Sequence, residues 1–177
     1  MKERFSRNKF TIFLDRDNTL IKDYPYNFDS NKIHLIEPAI NVLAKLDKYC
    51  NYFIITNQSG IGRGYFTVKE LNIFHNRLLE ILEHININII EIKFCPHKPE
   101  DDCECRKPKI KMVQNLINSY KINKEFCAFI GDKDIDLQTA KNAKIKLKYK
   151  CDNSINLSSI WEKIYNEIFP IVENINV

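Results

Sequence analysis

The regular alternation of short apolar segments with amphipathic stretches limits what this chain can fold into more than any other feature. The apolar segments are rich in β-forming residues and have the length of buried strands, which we predict at residues 9–14, 52–55, 87–94, 126–130 and 146–149. Apolar residues at helical spacing predict helices at residues 38–49, 67–84, 110–120, 134–142 and 157–169. Strands that alternate with helices favour a parallel sheet covered on both faces. We therefore predict a doubly wound, Rossmann-like α/β fold.

Composition bounds the class of protein. The 177 residues are 44% hydrophobic, enough for one core, so we expect a single domain over residues 1–177. The net charge of +4 is spread along the chain, which suits a phosphate-bearing ligand without indicating nucleic acid. Asn and Glu interrupt the apolar run at residues 85–92, and no apolar segment follows the basic N-terminal residues. We expect a cytoplasmic monomer that binds neither membrane nor nucleic acid.

Two carboxylates follow the first predicted strand. Asp15 and Asp17 lie two residues apart, so a turn is needed to aim both side chains into one site. Such a pair suits a nucleophile with a general acid/base, or a divalent cation with oxygen ligands. Taken alone, the pair is as typical of a solvated turn, because Asp is common there.

Polar clusters also follow the other strands. The loop 56–64 holds three of the four glycines together with hydroxyl groups, and such a loop suits a bound anion through close approach of backbone N–H groups. Arg106 and Lys107 supply positive charge, and the segment 131–136 supplies further carboxylates. In doubly wound folds the ligand lies beyond the carboxyl ends of the strands. These clusters should therefore meet in one crevice.

The six cysteines divide into two groups. Three stand alone beside apolar segments and are interpreted as small buried hydrophobic residues: Cys50, Cys127 and Cys151. The other three lie near a histidine and match the tetrahedral ligand set of structural zinc: Cys95, His97, Cys103 and Cys105. The competing interpretation is a loop of unligated cysteines. A closed zinc shell would fold this loop, and it would position Arg106 and Lys107 directly after the last ligand.

Together these residues resemble the four motifs of the haloacid dehalogenase superfamily of phosphatases. The resemblance spans residues 10–149 and implies that Asp15 is the nucleophile and Asp17 the general acid/base. It further implies that Thr56 and Lys107 hold the phosphoryl group, and that Mg²⁺ is bound by Asp15, Asp132 and the backbone carbonyl of Asp17. Asp136 would support Lys133 or the metal. Asn18 replaces the usual glycine after the second Asp, and Asn also tolerates the left-handed backbone.

Within the superfamily the chain is similar to small zinc-bearing phosphatases without a cap domain. These include D-glycero-D-manno-heptose 1,7-bisphosphate phosphatases of lipopolysaccharide biosynthesis and histidinol-phosphate phosphatases. The loop 56–64 favours the heptose enzymes, whereas the five-residue interval between His97 and Cys103 is equally typical of the histidinol enzymes. We favour the heptose bisphosphate because no second domain of the kind often fused to the histidinol enzyme is present. The residues expected to bind substrate are Asp23, Tyr26, Asn57, Gln58, Ser59, Arg106 and Lys133.

Two further hypotheses stay open. A polynucleotide 3′-phosphatase shares the pattern of the loop 56–64, but the zinc ligands do not support it, and no basic stripe with interleaved aromatic residues is present. A binding module on a catalytically inactive scaffold would require loss of the nucleophile, and both Asp15 and Asp17 are present. We therefore predict a small phosphorylated substrate, with Mg²⁺ and Zn²⁺ as cofactors.

Overall fold

The computed structural model describes residues 5–151 and 156–175. The strands are β1 (Phe10–Leu14), β2 (Cys50–Asn57), β3 (Ile89–Cys95), β4 (Cys127–Gly131) and β5 (Leu147–Lys150). The longer helices are α1 (Glu37–Leu46), α2 (Val68–His84), α3 (Lys111–Tyr120), α4 (Asp134–Asn142) and α5 (Leu157–Ile175). The sheet has the order β3-β2-β1-β4-β5 and every pairing is parallel. The predicted doubly wound α/β fold is confirmed.

Strand β1 lies at the centre of the sheet, between β2 and β4, and is buried on both faces. Ile12 and Leu14 point to the face covered by α1, α2 and α5, while Phe13 points to the face covered by α3 and α4. This follows from the alternation of side chains along a strand. Each fully buried Leu, Ile or Phe contributes about 1.5–3 kcal/mol to folding. The two cores therefore fix the sheet between its helices, and with it the positions of the strand ends.

Most element boundaries follow local signals. Helix α2 begins with the predicted capping box, in which Thr67 Oγ1 accepts from Glu70 N at 3.2 Å and Glu70 Oε2 accepts from Thr67 N at 2.7 Å. Strand β3 starts two residues later than predicted. The reason is the closure of α2, where Asn86 has φ 59° and Ile87 N donates to the α2 carbonyl of Leu82 at 2.9 Å.

The predicted end of the last helix at Phe169 is wrong. Helix α5 continues through Pro170 to Ile175, although proline removes one backbone donor. Ile168 and Val172, on either side of the proline, are fully buried in the core. Burial of this face outweighs the lost hydrogen bond.

Three connections extend over the carboxyl edge of the sheet, at residues 15–36, 58–67 and 96–110. All of these residues are described, and they form turns, isolated bridges and one short 3₁₀ helix, Pro99–Asp101, with no longer helix. Across the described chain, no helix is both long enough and apolar enough to cross a bilayer. The three loops therefore form the surroundings of the strand ends.

Candidate active site

Lys107 lies at the centre of the polar cluster. Its ammonium donates to Asp15 Oδ1 at 2.5 Å and to the carbonyl of Ile55 at 2.8 Å, and it forms an ion pair with Asp136 Oδ1 at 2.6 Å. Lys107, Asp15 and Asp136 are all buried. A buried ammonium requires such compensation, because an unpaired charge is costly to desolvate. The fold therefore brings together a cation and a carboxylate that lie 92 residues apart in sequence.

Burial changes the ionisation of this pair. It raises the pKa of Asp15 to about 7, with the charge of Lys107 acting in the opposite direction and Asp136 adding to the rise. For Lys107, burial alone lowers the pKa, but the carboxylates of Asp15 and Asp136 outweigh it and hold the pKa above its ordinary value. The lysine is thus kept as a cation, while a bound cation near Asp15 would favour its carboxylate form.

Three carboxylates, two of which also contact Lys107, are arranged as a cation site. Asp15, Asp132 and Asp136 each offer an oxygen, and these oxygens all lie within 4.8 Å of one another. Asp132 Oδ1 is buried and has no hydrogen-bond partner among the described residues. Burial also raises the pKa of Asp132, with Lys133 acting in the opposite direction. A buried carboxylate oxygen without a partner fits a hard divalent cation such as Mg²⁺.

The membership of this set differs from the sequence expectation at Asp136. The backbone carbonyl of Asp17 stays a predicted magnesium ligand. Asp136, expected to support Lys133 or the metal, accepts from the backbone N–H of Lys133 at 3.1 Å and pairs with the ammonium of Lys107. A Cβ on Gly131 would lie 2.5 Å from the Asp136 carboxyl atoms, so only glycine admits this approach. The sequence showed that the segment was acidic but not which cation faced it.

Asp17 is held by other side chains. Arg16 donates to both of its oxygens, at 3.0 Å from Nε and 3.1 Å from a terminal nitrogen. Gln58 Nε2 donates to Asp17 Oδ2 at 2.9 Å and also to the Thr56 hydroxyl at 2.8 Å. The turn that aims Asp17 inward uses Asn18 at φ 54°, which confirms that asparagine is tolerated there. Arg16 was missed as a site residue, because an arginine between two aspartates gives no signal of its own.

A cavity of about 350 Å³ opens above these groups. The four residues expected to carry the chemistry all line this cavity. Every residue expected to bind substrate also lines it: Asp23, Tyr26, Asn57, Gln58, Ser59, Arg106 and Lys133. Tyr26 has φ 55° and packs edge-on against Tyr65, with ring centres 4.5 Å apart. Burial raises the pKa of Asp23, and the charge of Asp17 adds to that rise.

Asn57 lines the cavity but its amide is engaged elsewhere. Its Oδ1 accepts from Lys107 N at 3.0 Å, and its Nδ2 donates to the Lys107 carbonyl at 3.3 Å. Arg106 donates to the His97 carbonyl at 3.1 Å. In this structure Asn57 therefore holds the backbone of Lys107, and Arg106 is anchored to the cysteine-rich loop.

The four residues expected to bind zinc are brought together. Their ligand atoms all lie within 4.8 Å of one another. The three sulfur pairs are separated by 3.3–3.5 Å, and His97 Nδ1 lies 3.3 Å from Cys105 Sγ and 3.6 Å from Cys95 Sγ. A tetrahedral zinc shell with bonds of about 2.3 Å to sulfur has ligand separations of roughly 3.5–3.8 Å. The donor set and its spacing fit zinc. The three lone cysteines, Cys50, Cys127 and Cys151, are buried as predicted.

The loop 56–64 packs against this cysteine-rich segment. Gly62 N donates to the carbonyl of Pro96 at 2.9 Å, and a Cβ on Gly62 would lie 2.9 Å from that oxygen. Gln58 N donates to the carbonyl of Cys95 at 2.7 Å. The N–H of Gly62 therefore joins the two loops, while anion binding by other backbone N–H groups of this loop stays a prediction.

Comparison with known proteins identifies the family of this chain. The family model described as polynucleotide kinase 3 phosphatase matches residues 9–154. A probable D-glycero-D-manno-heptose-1,7-bisphosphate 7-phosphatase of Thermoplasma volcanium is 36% identical over 140 residues, which cover 78% of this chain and 96% of that protein. The histidine biosynthesis bifunctional protein HisB of Actinobacillus pleuropneumoniae is 34% identical over 163 residues, which cover 90% of this chain but 44% of HisB.

A solved structure shares the fold. The D,D-heptose 1,7-bisphosphate phosphatase of B. bronchiseptica, solved with magnesium and phosphate, superposes with a TM-score of 0.77 at 24% identity, covering 89% of this chain and 99% of that one. The match of the family model over most of the chain, together with the Thermoplasma relative, shows the family. The chain is a phosphatase of the haloacid dehalogenase type and belongs to the polynucleotide kinase 3 phosphatase family.

Proposed function

We propose that this chain is a magnesium-dependent D-glycero-D-manno-heptose 1,7-bisphosphate 7-phosphatase that acts through an aspartyl-phosphate intermediate. The observation that supports this choice of substrate is the Thermoplasma relative. It is named as a probable phosphatase of this heptose bisphosphate, and the match covers 96% of its length. The site supports the chemistry, because a buried carboxylate, a buried ammonium and a second carboxylate face one cavity. The proposed partner is therefore a small phosphorylated sugar, bound by a monomer of one domain.

In the first half-reaction, an Asp15 oxygen attacks phosphorus and the bond to the leaving oxygen breaks. Asp17 donates a proton to that oxygen, so the sugar leaves as an alcohol. In the second half-reaction, Asp17 takes a proton from water, whose oxygen attacks the phosphoryl group and regenerates Asp15. The Lys107 ammonium and the Thr56 hydroxyl hold phosphoryl oxygens and stabilise the charge that develops on them.

Two metals complete the proposal. Asp15, Asp132 and the backbone carbonyl of Asp17 would hold Mg²⁺, and the unpartnered Asp132 oxygen supports that assignment. When bound, the ion neutralises charge between the nucleophile and the phosphate dianion. The Cys₃His group would hold Zn²⁺ in a closed shell, which leaves no position for substrate and assigns this metal to the structure of the loop.

The cavity walls support a sugar bisphosphate. Arg106 and Lys133 line the cavity beside Lys107 and supply positive charge for a second phosphate. Tyr24 and Tyr26 also line it, and both rings are exposed at its mouth. Aromatic faces of this kind pack against the apolar face of a sugar ring. Asp23 and Ser59 add hydrogen-bonding groups for sugar hydroxyls.

The second candidate is histidinol phosphate. HisB proteins match 82–90% of this chain at 34–39% identity, and the five-residue interval between His97 and Cys103 agrees with that alternative. Turnover of heptose 1,7-bisphosphate, histidinol phosphate and a 3′-phosphorylated oligonucleotide by the purified protein decides among the candidates. We expect kcat/KM for the heptose bisphosphate to exceed the others at least tenfold, with loss of the 7-phosphate. A preference for either other substrate would replace this assignment.

A further inference from the structure

A buried arginine beside Asp17 and a buried histidine that contacts this arginine take no part in the mechanism described above. Arg16 and His75 are only 3% and 5% exposed. They are 59 residues apart in sequence, on the turn after β1 and on helix α2, and a terminal nitrogen of Arg16 lies 3.1 Å from His75 Nε2. Buried polar side chains of this kind require a structural or functional reason.

Arg16 is held on several sides. Two of its nitrogens form a fork on the Asp17 carboxylate, and its third contacts His75. The guanidinium carbon lies 4.9 Å from the centre of the Phe74 ring. Each of the three guanidinium nitrogens therefore has a side-chain partner, which leaves the Arg16–Asp17 fork little freedom to rotate.

The protonation state of His75 follows from its partner. A guanidinium only donates, so His75 Nε2 must accept through its lone pair, and the ring proton lies on Nδ1. Burial lowers the pKa of His75 to about 3, and the charge of Arg16 lowers it further. The neutral imidazole therefore supplies the acceptor that satisfies Arg16 from this side. A leucine here would leave one buried N–H of Arg16 without that partner.

We propose that Arg16 and His75 form a positioning pair that fixes the orientation of the Asp17 carboxylate for proton transfer to the leaving group. The inference rests on the proposed role of Asp17. Gln58 also donates to Oδ2 of the same carboxylate, at 2.9 Å, so Asp17 is held by Gln58 as well as by the pair. Arg16 lines the cavity but His75 does not, so His75 acts only through Arg16.

The leaving group provides a selective test of this role. An alkoxide needs a proton as it departs, whereas p-nitrophenolate departs as a stable anion without one. Loss of Asp17 orientation should therefore slow the release of an alcohol and have much less effect on the release of p-nitrophenolate. Since kcat/KM covers steps up to release of the leaving group, the ratio of kcat/KM for glycerol 2-phosphate and p-nitrophenyl phosphate reports this step alone.

We would compare His75→Leu, which removes the acceptor, with His75→Gln, which retains one in its side-chain carbonyl. For His75→Leu we expect kcat/KM to fall about tenfold or more on glycerol 2-phosphate and at most about threefold on p-nitrophenyl phosphate. His75→Gln should restore most of the difference. Leu78→Ala, one turn further along α2 and also fully buried, is the matched control for destabilisation and should affect both substrates equally.

Equal losses on the two substrates in His75→Leu, or no loss on either, would overturn the inference. Asp17→Asn separates this failure from failure of the proposed function. If Asp17→Asn selectively impairs the alkyl ester but His75→Leu does not, only the positioning pair is wrong. If Asp17→Asn impairs both esters equally, the acid role of Asp17 is wrong and the inference fails with it.

Discussion

The carboxylate site and the cysteine cluster lie side by side but are built in opposite ways. Asp15 and Asp132 directly follow neighbouring strands, joined where Asp15 N donates to the Ile130 carbonyl at 2.9 Å. They meet only because the sheet forms. The ligands of the cysteine cluster all come from one short segment between Cys95 and Cys105. One site thus depends on the core, and the other depends on local closure of one chain segment.

Contacts between these two regions hold the loop that bears Lys107. Asn57, at the end of β2, holds the backbone of Lys107 through both of its amide groups. Arg106 donates to the His97 carbonyl, and Gly62 donates to Pro96. The cysteine segment therefore determines where the loop bearing Lys107 lies, and Asn57 links that loop to the sheet. The conformation of the cysteine segment can therefore affect the position of Lys107 without any contact between the cysteines and a substrate.

The largest effect should come from removing the nucleophile. Asp15→Asn is nearly isosteric but an amide cannot form the phosphoenzyme, so we expect turnover to fall at least about 10⁴-fold. Steady-state kinetics measure the loss, and zinc content measured by elemental analysis should be unchanged. Residual activity within tenfold of wild type would contradict the role of Asp15.

Removing magnesium should have a similarly large effect, but a reversible one. A chelator that binds zinc weakly should stop turnover, and added Mg²⁺ should restore it, because only the carboxylate site is emptied. The zinc content, followed in parallel, should stay at about one ion per chain. Activity that persists after complete removal of magnesium would contradict the assignment of the carboxylates as the magnesium site.

An intermediate effect is expected from Cys103→Ser. A hydroxyl is a much poorer zinc ligand than a thiolate, so zinc content should fall well below the wild-type value. Because Lys107 follows the cluster closely, a displacement of about 1 Å there should lower kcat/KM roughly 10²-fold. Magnesium binding and folding should persist, with a modest loss in Tm. The mutation Cys151→Ser, at a buried cysteine outside the cluster, is the control and should keep the zinc.

A wild-type protein without zinc would contradict this prediction. So would a Cys103→Ser variant with full activity on its best substrate, because the loop would then not position the site.

The smallest effect should come from Asn57→Ala. It breaks the two hydrogen bonds to the Lys107 backbone but leaves both metal sites intact, so we expect kcat/KM to fall about tenfold and zinc to be retained. Asn118→Ala, at an exposed position on α3, is the matched control and should keep full activity. Loss of zinc in Asn57→Ala would show that the link also supports the cluster.

Local patterns in the sequence determined the elements, their order and the residues at the strand ends. Short apolar segments and capping signals act within a few residues, so the strands were placed to within a few positions. The Cys₃His cluster could be predicted for the same reason, since all four residues lie close together in the chain. Helix α5 passes Pro170 because burial of Ile168 and Val172 outweighs a local signal.

Which side chains face one another depends on packing between distant segments of the chain. Lys107 meets Asp15 across 92 residues, Asn57 holds Lys107 across 50, and Arg16 meets His75 across 59. None of these pairs has a local signature, because a charged or polar residue looks the same in sequence whether it faces water or a buried partner. The sheet brings such residues into contact, and burial then makes their pairing obligatory. Local sequence patterns therefore predicted which residues carry the chemistry, and the packing of the strands determined which partners orient those residues.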